Sequence, residues 1–214
     1  MDKLLNIFKK VLVLCPHTDD EFGCAGTIRR LVEAEADVKY IAMSNCEASV
    51  PENLPKNILE IECLKCTEVL GIDRKCVEIC NLPVRHFPYH RQEILEKMVK
   101  LNQTFAPDLV LLPSSHDIHQ DHATVYIEGL RAFKHSTLLG YEMPQNLVAF
   151  TNSSFVVIND RIMNIKIEAL SCYASQKFRN YSDPKFIRGL ARVRGVQSNR
   201  KYAEAYEVIK LILN

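Results

Sequence analysis

Short, uninterrupted apolar runs that alternate with stretches of helical spacing constrain this chain more than any other feature of its sequence. Val11 to Cys15 is such a run; it stops at Pro16, which has no backbone N–H, and a run of this length buried on both faces suits a strand of parallel sheet. Gly23 to Ala36 then sets Ala25, Ile28, Leu31 and Val32 at helical spacing, and Val38 to Met43 is strand-like again, so the three form a βαβ unit. The alternation continues with a helix over Ile58 to Leu70 stopped by Gly71, a third strand at Lys75 to Cys80, a helix over Glu93 to Leu101, a fourth strand at Leu109 to Leu112 and a helix over Ala123 to Phe133. This predicts the α/β class: a single-domain, Rossmann-like three-layer fold with a predominantly parallel sheet and helices on both faces. From Thr137 to Asn159 the periodicity weakens, with one clear strand at Phe155 to Ile158; helices are expected over Arg161 to Tyr173, Pro184 to Arg194 and Tyr202 to Leu213. No repeat, low-complexity stretch or linker divides the chain, so residues 1–214 read as one domain.

Such folds bind ligands beyond the C-terminal ends of their strands, and two polar clusters fall there. Pro16-His17-Thr18-Asp19-Asp20-Glu21 follows the first strand, and Ser114-Ser115-His116-Asp117-Ile118-His119-Gln120-Asp121-His122 follows the fourth. His17 and Asp20 can turn toward one point in a tight loop, and His119 with His122 shares a helix face, a nitrogen and oxygen ligand set that suits zinc or another first-row divalent ion. Strands one and four flank the switch point of the expected topology, which sets the two clusters across one cleft. A chain of 214 residues can bury roughly 70% of its unfolded surface, so a metal is not needed merely to fold it. Taken alone, the first cluster could be a helix cap whose acidic groups complement the dipole; together, the two favour metal chemistry.

The motifs PHTDDE (Pro16 to Glu21) and HQDH (His119 to His122), with Gly23 and Gly26-Thr27-Ile28 after the first and PDLVLLP (Pro107 to Pro113) before the second, resemble the LmbE/PIG-L family of zinc-dependent N-acetylglucosaminyl deacetylases. Ser175-Gln176, RGVQ (Arg194 to Gln197) and YAEAYE (Tyr202 to Glu207) are similar to the C-terminal pattern of its sugar-biosynthesis branch. The resemblance implies that His17, Asp20 and His122 bind Zn2+, that Asp19 is the general base activating a zinc-held water, that His119, when protonated, assists at the oxyanion or leaving amine, and that Asp121 orients His119. It further implies removal of acetate from the 2-acetamido group of an N-acetylhexosamine-containing small molecule. Several relatives carry a substrate-contacting Arg in a helix that here reads NILEIECLKC; Arg85, in the loop after the third strand, is the candidate replacement. Arg188, Arg192 and Arg194 could meet a phosphate, but at least two are expected to face solvent.

Three other readings compete. The same site could serve an amidase acting on another N-acyl sugar conjugate. A non-catalytic nucleotide-binding module is disfavoured, since the first turn is PHTDDEFGCAG rather than GxGxxG and its carboxylates would repel a pyrophosphate. Cys63-x2-Cys66 with Cys76-x3-Cys80 could be a four-thiolate zinc site, although Cys63 and Cys66 have helix-core spacing and Cys76 and Cys80 share a strand face. A formal charge of +1 gives no general reason to bind nucleic acid. No integral membrane segment is expected; MDKLLNIFKKVLVLCP reads as a lead-in to a strand rather than a signal, and eight cysteines then suit reduced thiols in the cytoplasm.

Overall fold

Five consecutive residues without solvent exposure, Val11 to Cys15, form the centre of the molecule. They belong to β1 (Lys10–Cys15), and because successive strand side chains point to opposite faces, Val11, Val13 and Cys15 enter one apolar core while Leu12 and Leu14 enter another. A strand flanked by two cores has no wet face, which is why the run is continuous rather than alternating. The computed structural model describes residues 7–212; the first part of the N-terminal lead-in and the last residue of the expected C-terminal helix lie outside the described residues.

The elements that follow are α1 (Ala25–Glu33), β2 (Asp37–Ala42), α2 (Ile58–Leu70), β3 (Val77–Ile79), α3 (Arg91–Phe105), β4 (Leu109–Pro113), α4 (Gln120–Ala132), β5 (Thr137–Tyr141), β6 (Ser154–Ile158), α5 (Asp160–Ser171), α6 (Pro184–Gln197) and β7 (Tyr202–Lys210). The sheet runs β3-β2-β1-β4-β5-β7-β6. β1 pairs in parallel with both β2 and β4, so the chain leaves β1 toward one edge and returns on its other side at β4. The switch point falls between those two strands, as expected. Residues of α1, α2, α5 and α6 join the core on one face, and those of α3 and α4 join the other, giving the three layers. Gly71 ends α2 in the left-handed conformation, at φ 87°, that a side chain would disfavour. No helix among the described residues is long and apolar enough to cross a membrane.

Two expectations are corrected. Tyr202 to Leu213 is not a helix: Tyr202–Lys210 is strand β7, antiparallel to both β5 and β6. Its Ala- and Glu-rich composition favours helix locally, but pairing on two sides satisfies its backbone and outweighs a propensity of a few tenths of a kcal/mol per residue, about the scale such preferences reach. β5, five buried residues in the weakly periodic region, is a strand that periodicity did not single out.

Of the three C-terminal arginines, Arg192 is exposed and Arg188 half-exposed, and only Arg194 turns to a buried carboxylate, though all three make hydrogen bonds. Arg194 pairs with the buried Glu142, Arg188 reaches Asn164 and Tyr202, and exposed Arg192 donates to the carbonyls of Arg200 and Lys201. Their partners are remote in sequence or lie on the backbone, where residue spacing does not reveal them.

Candidate active site

β1 and β4 deliver their polar clusters to one point. A short turn over Asp20–Gly23 follows β1, and in it the backbone N–H of His17 donates to Asp20 Oδ2 at 2.7 Å, folding the loop so that both side chains face the same way. Gly23 lets this turn lie against the end of β5, since a Cβ there would stand 2.6 Å from the Glu142 carbonyl oxygen. From the other loop His122 enters on the first turn of α4.

Three atoms then form a nearly equilateral triangle: His17 Nδ1 to His122 Nε2 at 3.2 Å, His122 Nε2 to Asp20 Oδ2 at 3.3 Å and His17 Nδ1 to Asp20 Oδ2 at 3.4 Å. Zinc bonds of 2.0–2.1 Å in a tetrahedron require ligand separations of about 3.3 Å, so the set fits that ion. The outer nitrogens explain why. His17 Nε2 lies 3.0 Å from Asp121 Oδ2, and His122 Nδ1 lies 2.8 Å from Asp117 Oδ2. Carboxylates there accept the ring N–H groups and turn both inner nitrogens into lone-pair donors, the usual second layer of a histidine metal site. Three electron-rich atoms so close repel one another unless a cation lies between them. Burial opposes a charged His17, but Asp20 and Asp121 outweigh it and raise its pKa well above the ordinary value. Burial likewise opposes ionised Asp20, yet His122 and His17 hold its carboxyl below the usual range. The pocket is built for positive charge, as proton or as metal.

Asp121 has a different partner from the expected one. Its carboxylate binds His17 and the backbone N–H groups of Arg85 (2.5 Å) and Phe87 (3.1 Å), while its own N–H donates to Nδ1 of His119 at 3.2 Å. The backbone, not the carboxylate, orients His119. Burial, followed by the imidazoles of His122 and His17, lowers the pKa of His119, which works against the protonated form that the resemblance implies. With Nδ1 accepting, the ring in its neutral form carries its proton on Nε2. His17, His119 and His122 nevertheless present ligand atoms all within 4.8 Å of one another, so His119 stands beside the triangle.

Asp19, His17, Asp20, His119, His122 and Arg85 all line one cavity of about 290 Å³. Burial, then the neighbouring Asp20, raises the Asp19 pKa, the direction that suits a carboxylate accepting a proton near neutrality. The sequence placed Asp117 in the second cluster and Gln176 in a family-like pair without giving either a role, and it did not single out the wall residues Arg179 and Tyr181. Asp117 had a signal: a metal-bound histidine needs an outer acceptor, and Asp117 is a carboxylate of the same cluster, five residues before His122. Asp117→Asn should therefore weaken metal affinity by roughly 10- to 100-fold with the three inner atoms intact, read by competition with a chromogenic chelator.

Behind the loop, the hydroxyls of Tyr40 and Tyr173 donate to Glu21, at 2.8 and 2.6 Å, and both also reach the Thr18 carbonyl. Burial pushes the Glu21 carboxyl up to about 7. A carboxyl raised in the fold stabilises it fully below its unfolded pKa and loses that contribution as pH rises through the folded value. Metal-stripped protein should lose up to about 3 kcal/mol from this group between pH 4.5 and 7, and Glu21→Gln should flatten that slope in urea titrations.

Rival readings meet specific obstacles. The backbone N–H groups of Gly26 and Thr27 at the start of α1, where a pyrophosphate would bind, donate to the buried carboxylate of Glu204 at 2.8 and 2.7 Å. Cys63 and Cys66 are buried in the core from α2, whereas Cys76 and Cys80 flank β3 and are partly exposed; all eight cysteines are free thiols.

Fold and site together define an α/β protein with a metal-ligand cluster at the switch point of its sheet. The chain belongs to the PIG-L family, described as GlcNAc-PI de-N-acetylases, which it matches over residues 12–133, from β1 past both motif loops. It is 27% identical over 230 residues to the diacetylchitobiose deacetylase of Thermococcus kodakarensis, covering 95% of this chain and 84% of that one. Among solved structures it resembles the N,N'-diacetylchitobiose deacetylase of Pyrococcus horikoshii in complex with its inhibitor MPG (TM-score 0.78, 21% identity, 94% of this chain and 84% of that one). GalB, the 4-carboxy-2-hydroxymuconate hydratase of Pseudomonas putida KT2440, is as similar in fold (TM-score 0.78, 19% identity, 96% and 98% covered). One fold thus carries different reactions, and the chemistry must be argued from the site.

Proposed function

We propose that this protein is a zinc-dependent N-deacetylase that removes acetate from the 2-acetamido group of an N-acetylhexosamine-containing small molecule. The observation that carries the reading is the 3.2–3.4 Å triangle of His17, Asp20 and His122 beside Asp19 and His119 in one cavity. Family membership and the similarity to a diacetylchitobiose deacetylase support the sugar amide as substrate. His17 Nδ1, Asp20 Oδ2 and His122 Nε2 are the ligands. A divalent ion held by three protein ligands supplies Lewis-acid activation of water and of the amide carbonyl.

The protein's own groups do the rest. Asp19 takes a proton from the attacking water and returns it to the amide nitrogen, because an amine leaves only when protonated. His119 donates its Nε2–H to the carbonyl oxygen as that atom gains negative charge, and a neutral donor already in place needs no rearrangement in the transition state. Asp117 and Asp121 keep His122 and His17 in the ligating tautomer. A reducing compartment such as the cytoplasm agrees with eight free thiols.

Purified protein reconstituted with zinc should release acetate from N-acetylglucosamine, N,N'-diacetylchitobiose or a glycoside of either, and chelation should abolish the activity until zinc is restored. Release of a longer acyl group in preference to acetate would make it an amidase on another N-acyl sugar. Full turnover with metal shown to be absent would overturn the mechanism.

A further inference from the structure

Helix α6 is apolar on two opposite sides. Inward it buries Ile187, Ala191 and Gly195 and packs on β7, so closely that a Cβ on Gly195 would stand 2.4 Å from the Lys201 carbonyl oxygen. Outward it presents Phe186 (38% exposed), Val193 (52%) and Val196 (62%). At 3.6 residues per turn these three fall within about a quarter of the helix circumference, where a surface helix ordinarily places polar residues. The turn leading into α6 adds Phe178, 65% exposed.

Cations border this stripe. Lys185 and Arg192 stand beside it on α6, with Lys177 before the helix and Arg200 after it; each is exposed, and none is paired with a carboxylate among the described residues. Asp183 is the lone acid between Cys172 and Ala203, and its carboxylate caps α6 by accepting the Lys185 N–H at 2.8 Å. The whole chain carries only +1, so the excess of positive charge is local. Apolar side chains ringed by unpaired cations fit one kind of occupant better than others. A second copy meeting the same face about a twofold axis would set cation against cation. A nucleic acid would neutralise the cations and leave the valines and phenylalanines without a partner. An anionic bilayer answers both halves, since the apolar side chains enter the acyl boundary while Lys and Arg meet lipid phosphates.

We propose that the outward face of α6, with the turn before it, is a peripheral docking surface for an anionic lipid bilayer, on which the chain lies without spanning it. The face is joined to the active-site turn. The Phe186 ring stacks on Phe22, with centres 6.3 Å apart, and Phe22 belongs to the turn that carries Asp20; Tyr181, which meets Phe22 edge-on at 6.1 Å, lines the cavity. A docked molecule therefore holds its cavity near the bilayer surface.

The test is co-sedimentation of the full chain with vesicles of phosphatidylcholine alone and of phosphatidylcholine mixed with phosphatidylglycerol. The mixed vesicles should bind at least about 10-fold more tightly, an advantage that shrinks as ionic strength rises. Lys177→Gln/Lys185→Gln should remove most of that advantage, and Val193→Ser/Val196→Ser should weaken binding by about 10-fold or more. These side chains are exposed, so thermal melting should stay close to that of the wild type. The chain has no tryptophan, so Val193→Trp supplies a single reporter whose emission should move to the blue on mixed vesicles and not on phosphatidylcholine alone. Protein left in the supernatant with mixed vesicles, equal binding to both compositions, or unchanged binding in either double variant overturns the docking surface. A wild type that ignores vesicles and sediments as an oligomer dispersed by Val193→Ser/Val196→Ser gives the stripe to a second copy and overturns it equally. Vesicle binding is read without turnover, so its outcome is independent of the deacetylase reading.

Discussion

Asp19→Asn lowers kcat by about two to four orders of magnitude while bound zinc stays near one per chain, on the usual scale of losing a positioned proton acceptor. Asparagine keeps the shape of the side chain, and Asp19 contributes no atom to the 3.2–3.4 Å triangle, so the ligands remain in place. What disappears is a carboxylate in the cavity wall whose pKa is raised by burial and by Asp20, toward the range in which a base both accepts and returns a proton at neutral pH. The loss should fall on kcat more than on KM, because the proton moves in the transition state. Steady-state kinetics and metal analysis of the same preparation check it. An Asp19→Asn enzyme that retains full turnover would falsify the general-base assignment, and one that loses its metal would move Asp19 into the ligand set.

Asp20→Asn gives the converse pattern, with metal affinity falling by at least about 100-fold and activity falling with it, since a neutral amide oxygen replaces the only charged donor of the set. The adjacent positions separate because the turn that brings Asp20 Oδ2 to the His17 N–H directs Asp20 inward, whereas Asp19 is left at the cavity wall. Excess zinc should restore part of the Asp20→Asn activity and none of the Asp19→Asn deficit. Wild-type metal affinity should also weaken as pH falls, because the imidazole ligands bind metal only when deprotonated. Equilibrium dialysis across pH measures both effects. Unchanged zinc content in Asp20→Asn would remove that residue from the ligand set.

The lowered pKa of His119 changes the acid limb expected for the proposed mechanism. Its Nδ1 accepts from the Asp121 N–H, and burial disfavours its charged form, so in the proposed mechanism the donor to the carbonyl oxygen is an imidazole with a proton on Nε2. Loss of activity at low pH then follows protonation of Asp19 and of the ligands, not a requirement for charged His119. His119→Ala should slow turnover by roughly 100-fold or more, as loss of an oxyanion donor does.

Sequence alone determined the βαβ alternation, because a strand buried on both faces must be a continuous apolar run and Val11 to Cys15 and Leu109 to Leu112 can be little else. It also determined that His17 and His122 meet, since the two loops follow strands that the topology makes neighbours. Tertiary structure decided everything that depends on partners remote in the chain. Tyr202–Lys210 is helical by composition and a strand by its pairing with β5 and β6. The same strand supplies Glu204 to the start of α1 and Glu207 to Ser114 and Ser115, bracing the segments beside both motif loops through contacts that no local pattern encodes. Asp121 was legible as a site residue, but its role was not: a carboxylate two residues from His119 in sequence turns to His17, more than a hundred residues away. Residue types and their spacing fix which groups are available, while hydrogen-bond direction and distance, which depend on the packed backbone, fix what each group does.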